Sequence, residues 1–282
     1  MSYKVDNAII LAAGKSNRFA PLSHEMPKAL IEVRGEVLIE RQIKQLKDAG
    51  IDDVIIVTGY MSEQFDYLAD KFGVTLVKNN EYKIRNNNSS INAVKDYLGN
   101  SYVCSSDNYL SINPFETIVE DSYYSTLFSY GPTSEWCVTE DTSGYIDSVN
   151  IGGENSWYML GHTFWNKEFS IRFLEILADI YDEPETAGML WEKIYMRNLD
   201  TLKMKLRKYN DGDILEFDTL DELRLFDETY ISDTRSEILK RIATQLGCDE
   251  SEIVNIKPLV DENDDAIGIT YTYQEREYEY LY

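Results

Sequence analysis

A buried-looking strand runs straight into a loop of small residues at Asn7-Ala-Ile-Ile-Leu-Ala-Ala-Gly14-Lys-Ser-Asn-Arg18-Phe-Ala-Pro21-Leu22, and a Pro27-Lys28 pair closes it. This order constrains the fold more than any other stretch. A strand that ends in Leu11, Ala12, Ala13 and Gly14 leaves its last backbone N–H groups open to an anion, because no bulky side chain holds the anion away. Arg18 adds a planar fork that matches phosphate oxygens, and Lys28 adds a mobile point charge. Pro21 and Pro27 stiffen the return of the loop. The pattern predicts a loop that wraps a triphosphate and places two cations on it.

The elements that follow alternate. Val37–Ala49 has Leu38, Ile39, Ile43 and Leu46 at helical spacing and ends at Gly50. Val54–Thr58 is a continuous apolar run, as expected of a strand buried on both faces. Ser62 reads as the N-cap of a helix to about Lys71, and Val74–Val77 as the next strand. A helix over Ser90–Leu98 and a strand over Tyr102–Ser105 complete a series of βαβ units. Such a series predicts an α/β fold with a mainly parallel, Rossmann-like sheet and helices on both faces.

After residue 120 the pattern changes. Tyr124–Ser129, Trp136–Thr139, Tyr145–Val149 and Tyr158–Trp165 read as antiparallel strands, an insertion suited to binding a second substrate. Helices are expected over Phe169–Tyr181, Met189–Arg197 and about Leu220–Tyr230, with short strands at Leu202–Leu206 and Ile214–Glu216. Arg235–Leu246 reads as an amphipathic helix, and Ile253–Leu259, Gly268–Tyr273 and Glu277–Tyr282 read as strands around an acidic turn, Asp261-Glu-Asn-Asp-Asp265. The chain is thus expected to divide into a domain over 1–232 and a small α+β appendage over 233–282.

Charge and composition exclude several functions. The net charge of −23 over 282 residues repels a polyanion, so nucleic acid is not an expected partner. A nucleotide remains compatible, since a cationic loop and a bound divalent ion reverse the sign locally. Cys104, Cys137 and Cys248 show no metal or redox spacing, which points to a reducing cytoplasm. No signal peptide and no membrane-spanning run are expected. With His24 and His162 as its two histidines, the chain offers no basis for a histidine triad or a histidine-rich zinc site. Its chemistry must rest on carboxylates, lysine, arginine and a hard metal.

Two carboxylates occupy expected strand ends. Asp107 follows Tyr102–Ser105, and Asp218 follows Ile214–Glu216. Open α/β sheets bind ligands at the carboxyl ends of their strands. Two carboxylates with phosphate oxygens and waters make an ordinary Mg²⁺ shell. Asp107 is equally suited to an Asx turn, and Asp218 to capping the following helix, a role open to Thr219 as well. Asn86-Asn-Asn-Ser-Ser90 suits a base and ribose, and suits ordinary capping too.

The Leu11-to-Lys28 stretch resembles the signature of nucleotidyltransferases that activate phosphorylated small molecules with an NTP, with Ser16 where members often have a second glycine. Further segments narrow the resemblance to bacterial CTP:phosphocholine cytidylyltransferases. They are Gly59-Tyr-Met-Ser-Glu-Gln-Phe-Asp-Tyr-Leu68, Ser101-Tyr-Val-Cys-Ser-Ser-Asp107-Asn-Tyr-Leu110, Glu135-Trp136, Phe164-Trp165 and Leu215-Glu216-Phe-Asp218. The similarity spans about residues 5–230. It implies Mg²⁺-dependent transfer of CMP from CTP to phosphocholine. Leu11 to Gly14, Asn87, Ser90 and Asp107 would then hold the nucleotide. Arg18, Lys28 and Asp107 would act in catalysis, and Asp107 with Asp218 would hold the metal. It also implies a choline pocket of aromatic faces and carboxylates, for which Trp136, Trp191, Glu192 and Glu216 stand as candidates; a quaternary ammonium is held by cation–π contact and negative charge.

Leu190 lies where that family places an aromatic residue, which keeps 2-aminoethylphosphonate, phosphoethanolamine or a sugar 1-phosphate open as acceptors. A catalytically silent nucleotide- or choline-binding module is the alternative from another class. The tail from Arg235 resembles the opening of a choline-kinase-type domain, without that family's catalytic loop. This implies either a fusion to, or association with, such a kinase or a remnant used for packing.

Overall fold

The computed structural model describes residues 2–282; Met1 lies outside the described residues. The chain forms two compact units, one made of residues up to Gly14 with Arg41–Leu215, the other of Lys15–Glu40 with Glu216–Tyr282. The division therefore falls inside the small-residue loop, between Gly14 and Lys15. The second unit joins the 233–282 appendage to 15–40 and 216–232.

The first unit is built on a seven-stranded sheet. Its strands are β1 (Asn7–Ala12), β2 (Val54–Thr58), β3 (Thr75–Lys78), β4 (Ser101–Ser105), β5 (Tyr123–Glu140), β6 (Ile146–Trp165) and β7 (Lys205–Lys208). The spatial order is β7-β5-β6-β4-β1-β2-β3. β1 pairs parallel with both β2 and β4, and β2 parallel with β3. The chain thus lays β1, β2 and β3 outward in one direction, then returns to place β4 on the other side of β1. That reversal is a topological switch point, and the crevice it opens lies beyond the carboxyl ends of β1 and β4. The continuous apolar runs are explained by this position: Ala8, Ile9, Ile10 and Val54 to Val57 are essentially inaccessible in the sheet centre.

The insertion differs from the expected series of short strands. β5 and β6 are single strands of 18 and 20 residues that pair antiparallel along most of their length. Gly131-Pro132 and Gly152-Gly153, which fall between the expected short strands, lie within the long ones. A register shift between Ser129 and Pro132 absorbs the first as a bulge and one between Thr133 and Trp136 absorbs the second, with Gly131 at φ 82° and Gly152 at φ 81°. The expected helix from Ser90 to Leu98 is also shorter: α2 covers Asn88–Ala93, and a 3₁₀ turn Lys95–Tyr97 follows. The segment after Ser62 likewise opens as a 3₁₀ turn, Ser62–Phe65, with no side-chain cap, before a short helix Tyr67–Phe72. α1 (Leu38–Asp48) buries the four residues that predicted it, Leu38, Ile39, Ile43 and Leu46.

The core of this unit is aromatic. Trp165, at the end of β6, has its ring centroid 4.7 Å from Phe173 of α3 (Lys167–Ile180) and 5.0 Å from Trp191 of α4 (Trp191–Met196). Aromatic pairs at such separations add to the burial of their area.

In the second unit, α5 (Leu220–Phe226) is followed by α6 (Glu237–Leu246) and a three-stranded antiparallel sheet of β8 (Val254–Val260), β9 (Ala266–Tyr273) and β10 (Arg276–Leu281). Arg224 of α5, with 8% of its side chain exposed, ties these parts together. Its guanidinium donates to the carbonyls of Ile253 and Glu250, both at 2.8 Å. No helix among the described residues is long and apolar enough to cross a membrane.

Candidate functional site

The first unit presents the end of β1 and the end of β4 side by side. The two strands are in register through Leu11 and Ser105, so Ala12-Ala13-Gly14 and Ser106-Asp107 leave the sheet at neighbouring points of the switch crevice. Ala13 is seated by its backbone: its carbonyl accepts the N–H of Tyr60 at 3.1 Å. Gly59 makes that seat possible, since a Cβ there would lie 2.8 Å from the Ala13 carbonyl oxygen. A Cβ on Gly14 would meet nothing within 4 Å. The backbone therefore turns from a close-packed residue to an open one at the expected position. Asp107 is partly exposed at the same sheet edge.

A second cluster in this unit gathers Asn87, Tyr124, Trp191 and Glu192. The Asn87 side chain engages the start of α4 with both ends: its Oδ1 accepts the Trp191 N–H at 2.7 Å, and its Nδ2 donates to Glu192 Oε2 at 3.2 Å. The Trp191 ring stacks on Tyr124, centroids 5.8 Å apart and 15° from parallel. Burial of Glu192 raises its carboxyl to about 7, while its own N–H, Asn87 and the Tyr124 hydroxyl pull the other way. Part of the residue's surface nonetheless remains accessible. Of the other expected residues, Trp136 is half-buried against the aromatic core, and Trp191 lies almost wholly within it at 2% exposure. The Ser90 hydroxyl accepts from Asn79 Nδ2 at 3.1 Å. Leu190 precedes α4 as its extended N-cap residue.

The second unit carries the cations. Arg18 Nη1 lies 2.8 Å from Asp218 Oδ2, and Lys28 Nζ lies 3.9 Å from Asp218 Oδ1. The Lys28 side chain is 5% exposed, with its ammonium 5.5 Å from the Phe19 ring centroid, whereas Arg18 is 76% exposed. Asp218 is spared from capping duty. Thr219 caps α5 by accepting the Glu222 N–H, and Glu222 accepts the N–H groups of Asp218 and Thr219 in return. The capping box resolves the ambiguity between Asp218 and Thr219 and leaves the Asp218 carboxylate facing two cations. Glu216 is exposed at the end of its strand.

Ser16, where the resemblance leads one to expect a glycine, adopts φ 50°, ψ 43°. A left-handed conformation costs a non-glycine residue roughly 1–2 kcal/mol, while glycine loses about 0.4–1 kcal/mol by making the unfolded chain freer. Ser16→Gly is therefore expected to stabilise the fold by about 0 to 1.6 kcal/mol, and the β-branched Ser16→Val to destabilise it. Urea denaturation of the two variants measures both shifts.

Asp107, in the first unit, and Asp218, in the second, each offer carboxylate oxygens, the donors that a hard divalent ion takes. Among the described residues no cluster of three or more His, Cys, Asp or Glu could hold a metal on its own. The donor chemistry fits an ion whose shell is completed by substrate oxygens and water. Lys15, which follows Gly14 in the chain, and Tyr124, which stacks on Trp191, were not singled out by the sequence. Lys15 carried a signal, its place between Gly14 and Arg18; Tyr124 carried none beyond lying in a strand.

Comparison with known proteins bears directly on this arrangement. Residues 8–106 match the MobA-like NTP transferase domain. The choline-phosphate cytidylyltransferase of Streptococcus pneumoniae is 34% identical over 221 residues, which cover 78% of this chain and 96% of that protein. The chain belongs to this cytidylyltransferase family. Members differ in the acceptor they are named for: the 2-aminoethylphosphonate cytidylyltransferase of Lancefieldella rimae is also 34% identical, over 235 residues, 82% of this chain and 95% of that protein. The solved CTP:phosphocholine cytidylyltransferase structure from Streptococcus pneumoniae superposes with a TM-score of 0.77, covering 80% of this chain and 99% of that one. The Rossmann-like expectation and the nucleotidyltransferase class are thereby established. The relatives named above do not show the kinase-type resemblance of the tail.

Proposed function

We propose that the protein transfers CMP from CTP to phosphocholine, with release of pyrophosphate. The observation that carries the reading is the pairing of Arg18 and Lys28 on Asp218, in the segment that continues from an open glycine at a topological switch point. In the reaction a phosphate oxygen of phosphocholine attacks the α-phosphorus of CTP, and the bond to the bridging oxygen of pyrophosphate breaks. The nucleophile is already an anion, so no general base and no covalent intermediate are required. Catalysis consists of positioning and charge neutralisation. The open backbone at Ala12 to Gly14 receives the phosphates, with Leu11, Asn87 and Ser90 toward the nucleoside. Arg18 and Lys28 neutralise the leaving pyrophosphate. Asp107 and Asp218 would hold Mg²⁺, which when bound screens the charge between the two reacting anions.

The acceptor's ammonium is assigned to Glu192, with the half-buried Trp136 as a further contributor and Glu216, in the second unit, as a separate candidate; Trp191, expected as a wall of the pocket, is 2% exposed and packs in the aromatic core instead. The ammonium's full positive charge suits a carboxylate whose desolvation is relieved by a cation. A second acceptor, 2-aminoethylphosphonate, is supported by the Lancefieldella rimae relative at equal identity and by the aliphatic Leu190. Coupled pyrophosphate release across the four NTPs, with phosphocholine, 2-aminoethylphosphonate, phosphoethanolamine and a sugar 1-phosphate in parallel, tests the reading. CTP with phosphocholine is expected to give the highest kcat/KM. Faster turnover with the aminophosphonate would transfer the assignment to the second acceptor. We assign the site of action to the cytoplasm, where CTP and reduced cysteines are both found.

A further inference from the structure

Lys15, in the middle of the nucleotide loop, is held by the acidic turn of the appendage. Its Nζ donates to the carbonyls of Asn263 at 3.2 Å and Asp264 at 2.5 Å and to Asp265 Oδ1 at 2.9 Å. Those three oxygens equal the number of protons on an ammonium. The Asp264 carboxylate lies a further 3.8 Å away, and the Lys15 side chain is 12% exposed. Asn17 follows the same partner, with Nδ2 donating to Asp264 Oδ1 at 2.9 Å and to its carbonyl at 3.3 Å.

The turn does not depend on Lys15 for its shape. Asp261 Oδ1 accepts the N–H groups of Asn263 and Asp265, both at 2.9 Å, and Asp264 stands at φ 59°. The return of the loop is also docked on the tail. His24 Nδ1 bonds the Tyr282 hydroxyl at 2.5 Å, and Glu25 Oε1 accepts the first two N–H groups of α6, from Glu237 at 2.8 Å and Ile238 at 3.2 Å. A solved relative is covered over 99% of its length by 80% of this chain, so a fifth of the chain lies beyond that similarity.

We propose that the acidic turn over 261–265 is a built-in competitor for the nucleotide's phosphates at Lys15 and Asn17. The inference rests on reading residues 12–28 as the nucleotide loop. Carbonyl and carboxylate oxygens on the turn present the acceptors that a triphosphate would present to the same donors. While the turn is seated, the loop's first cation is neutralised within the protein. A nucleotide that takes Lys15 must lift the turn, and its apparent affinity falls in proportion to the fraction of chains with the turn released. The device sets how much nucleotide is needed and leaves the chemical step alone.

Calorimetric titration of the full chain with Mg-CTP, without acceptor, tests this. Asp264→Asn combined with Asp265→Asn removes the charge, keeps a residue tolerant of the left-handed conformation at 264, and leaves Asp261 in place. The dissociation constant is expected to fall roughly 3- to 10-fold, the scale of one or two partly exposed ion pairs. Glu277→Gln combined with Glu279→Gln, on exposed positions of β10, removes equal charge and is expected to leave the constant within about twofold, since exposed charges at a distance are screened. In a Lys15→Ala background the gain is expected to vanish. An unchanged or weaker affinity in the Asn pair, an equal gain in the control pair, or a gain that survives Lys15→Ala would each overturn the proposal. Turnover separates this from the transferase reading. Pyrophosphate release with an unaltered dissociation constant in the Asn pair overturns the competitor alone. Tighter binding without pyrophosphate from any acceptor upholds it and overturns the transferase.

Discussion

Asp107→Asn and Lys28→Ala are each expected to lower kcat with CTP and phosphocholine by at least ~100-fold, the effect of removing one charge-stabilising group, roughly 3 kcal/mol. The two act on different parts of the reaction. Asp107, at the end of β4 beside the open loop, is assigned to the metal that screens the two anions. Asn keeps its size and one oxygen and removes the charge, so a loss of turnover reports charge. Lys28 has a 5% exposed side chain near Phe19 and Asp218, where the dielectric is low and its charge acts strongly on a leaving group. Steady-state pyrophosphate release checks both, with circular dichroism to show that each variant is folded. Near-normal turnover of either folded variant would remove that residue from the mechanism.

The second large effect belongs to Glu192. Burial raises its carboxyl to about 7, so at neutral pH the proton is half retained. A quaternary ammonium interacts favourably only with the ionised form, and binding it lowers the carboxyl's pKa again. The sign follows: acceptor affinity rises as pH increases through about 7 and levels off above it. For the free protein the sign is opposite. A carboxyl that holds its proton more tightly folded than unfolded costs stability as pH rises from its ordinary value of 4.5 to about 7. The KM for phosphocholine is therefore expected to fall several-fold between about pH 6 and pH 8. Glu192→Gln is expected to raise that KM by about tenfold or more and to flatten the profile, the scale of losing a desolvated charge partner. The phosphate's own second ionisation, near pH 6, contributes to the wild-type profile and persists in Glu192→Gln. The difference between the two profiles isolates the carboxyl. A profile that is the same in both proteins would dissociate Glu192 from the acceptor.

What the sequence disclosed, and what it hid, follows from the range of the interactions. The strand-to-loop junction at Ala12-Ala13-Gly14 was legible because its requirement is local: backbone that must stay open tolerates few residue types. The parallel core was legible because Val54–Thr58 has no polar position to contradict burial on both faces. The long hairpin was not, since Gly131-Pro132 and Gly152-Gly153 carry the local chemistry of turns, and only pairing with a partner strand converts them to bulges. The choice between Asp218 and Thr219 as cap required the side-chain geometry of Glu222, which closes on Thr219. Lys15 was hidden for the opposite reason to the loop around it: its partners lie some 250 positions further along the chain. Ser16 is intermediate, because the departure from glycine was visible while the positive φ that gives it meaning was not.

The central claim is that this chain joins a cytidylyl group to a phosphorylated amine, and phosphorus NMR of the purified protein with CTP, phosphocholine and Mg²⁺ tests it most directly. The account predicts that the CTP resonances give way in equal amounts to a pyrophosphate signal and to the paired signals of an unsymmetrical diphosphate bearing choline. CTP that persists unchanged, or that decays to CMP while the phosphocholine signal stays intact, would contradict it.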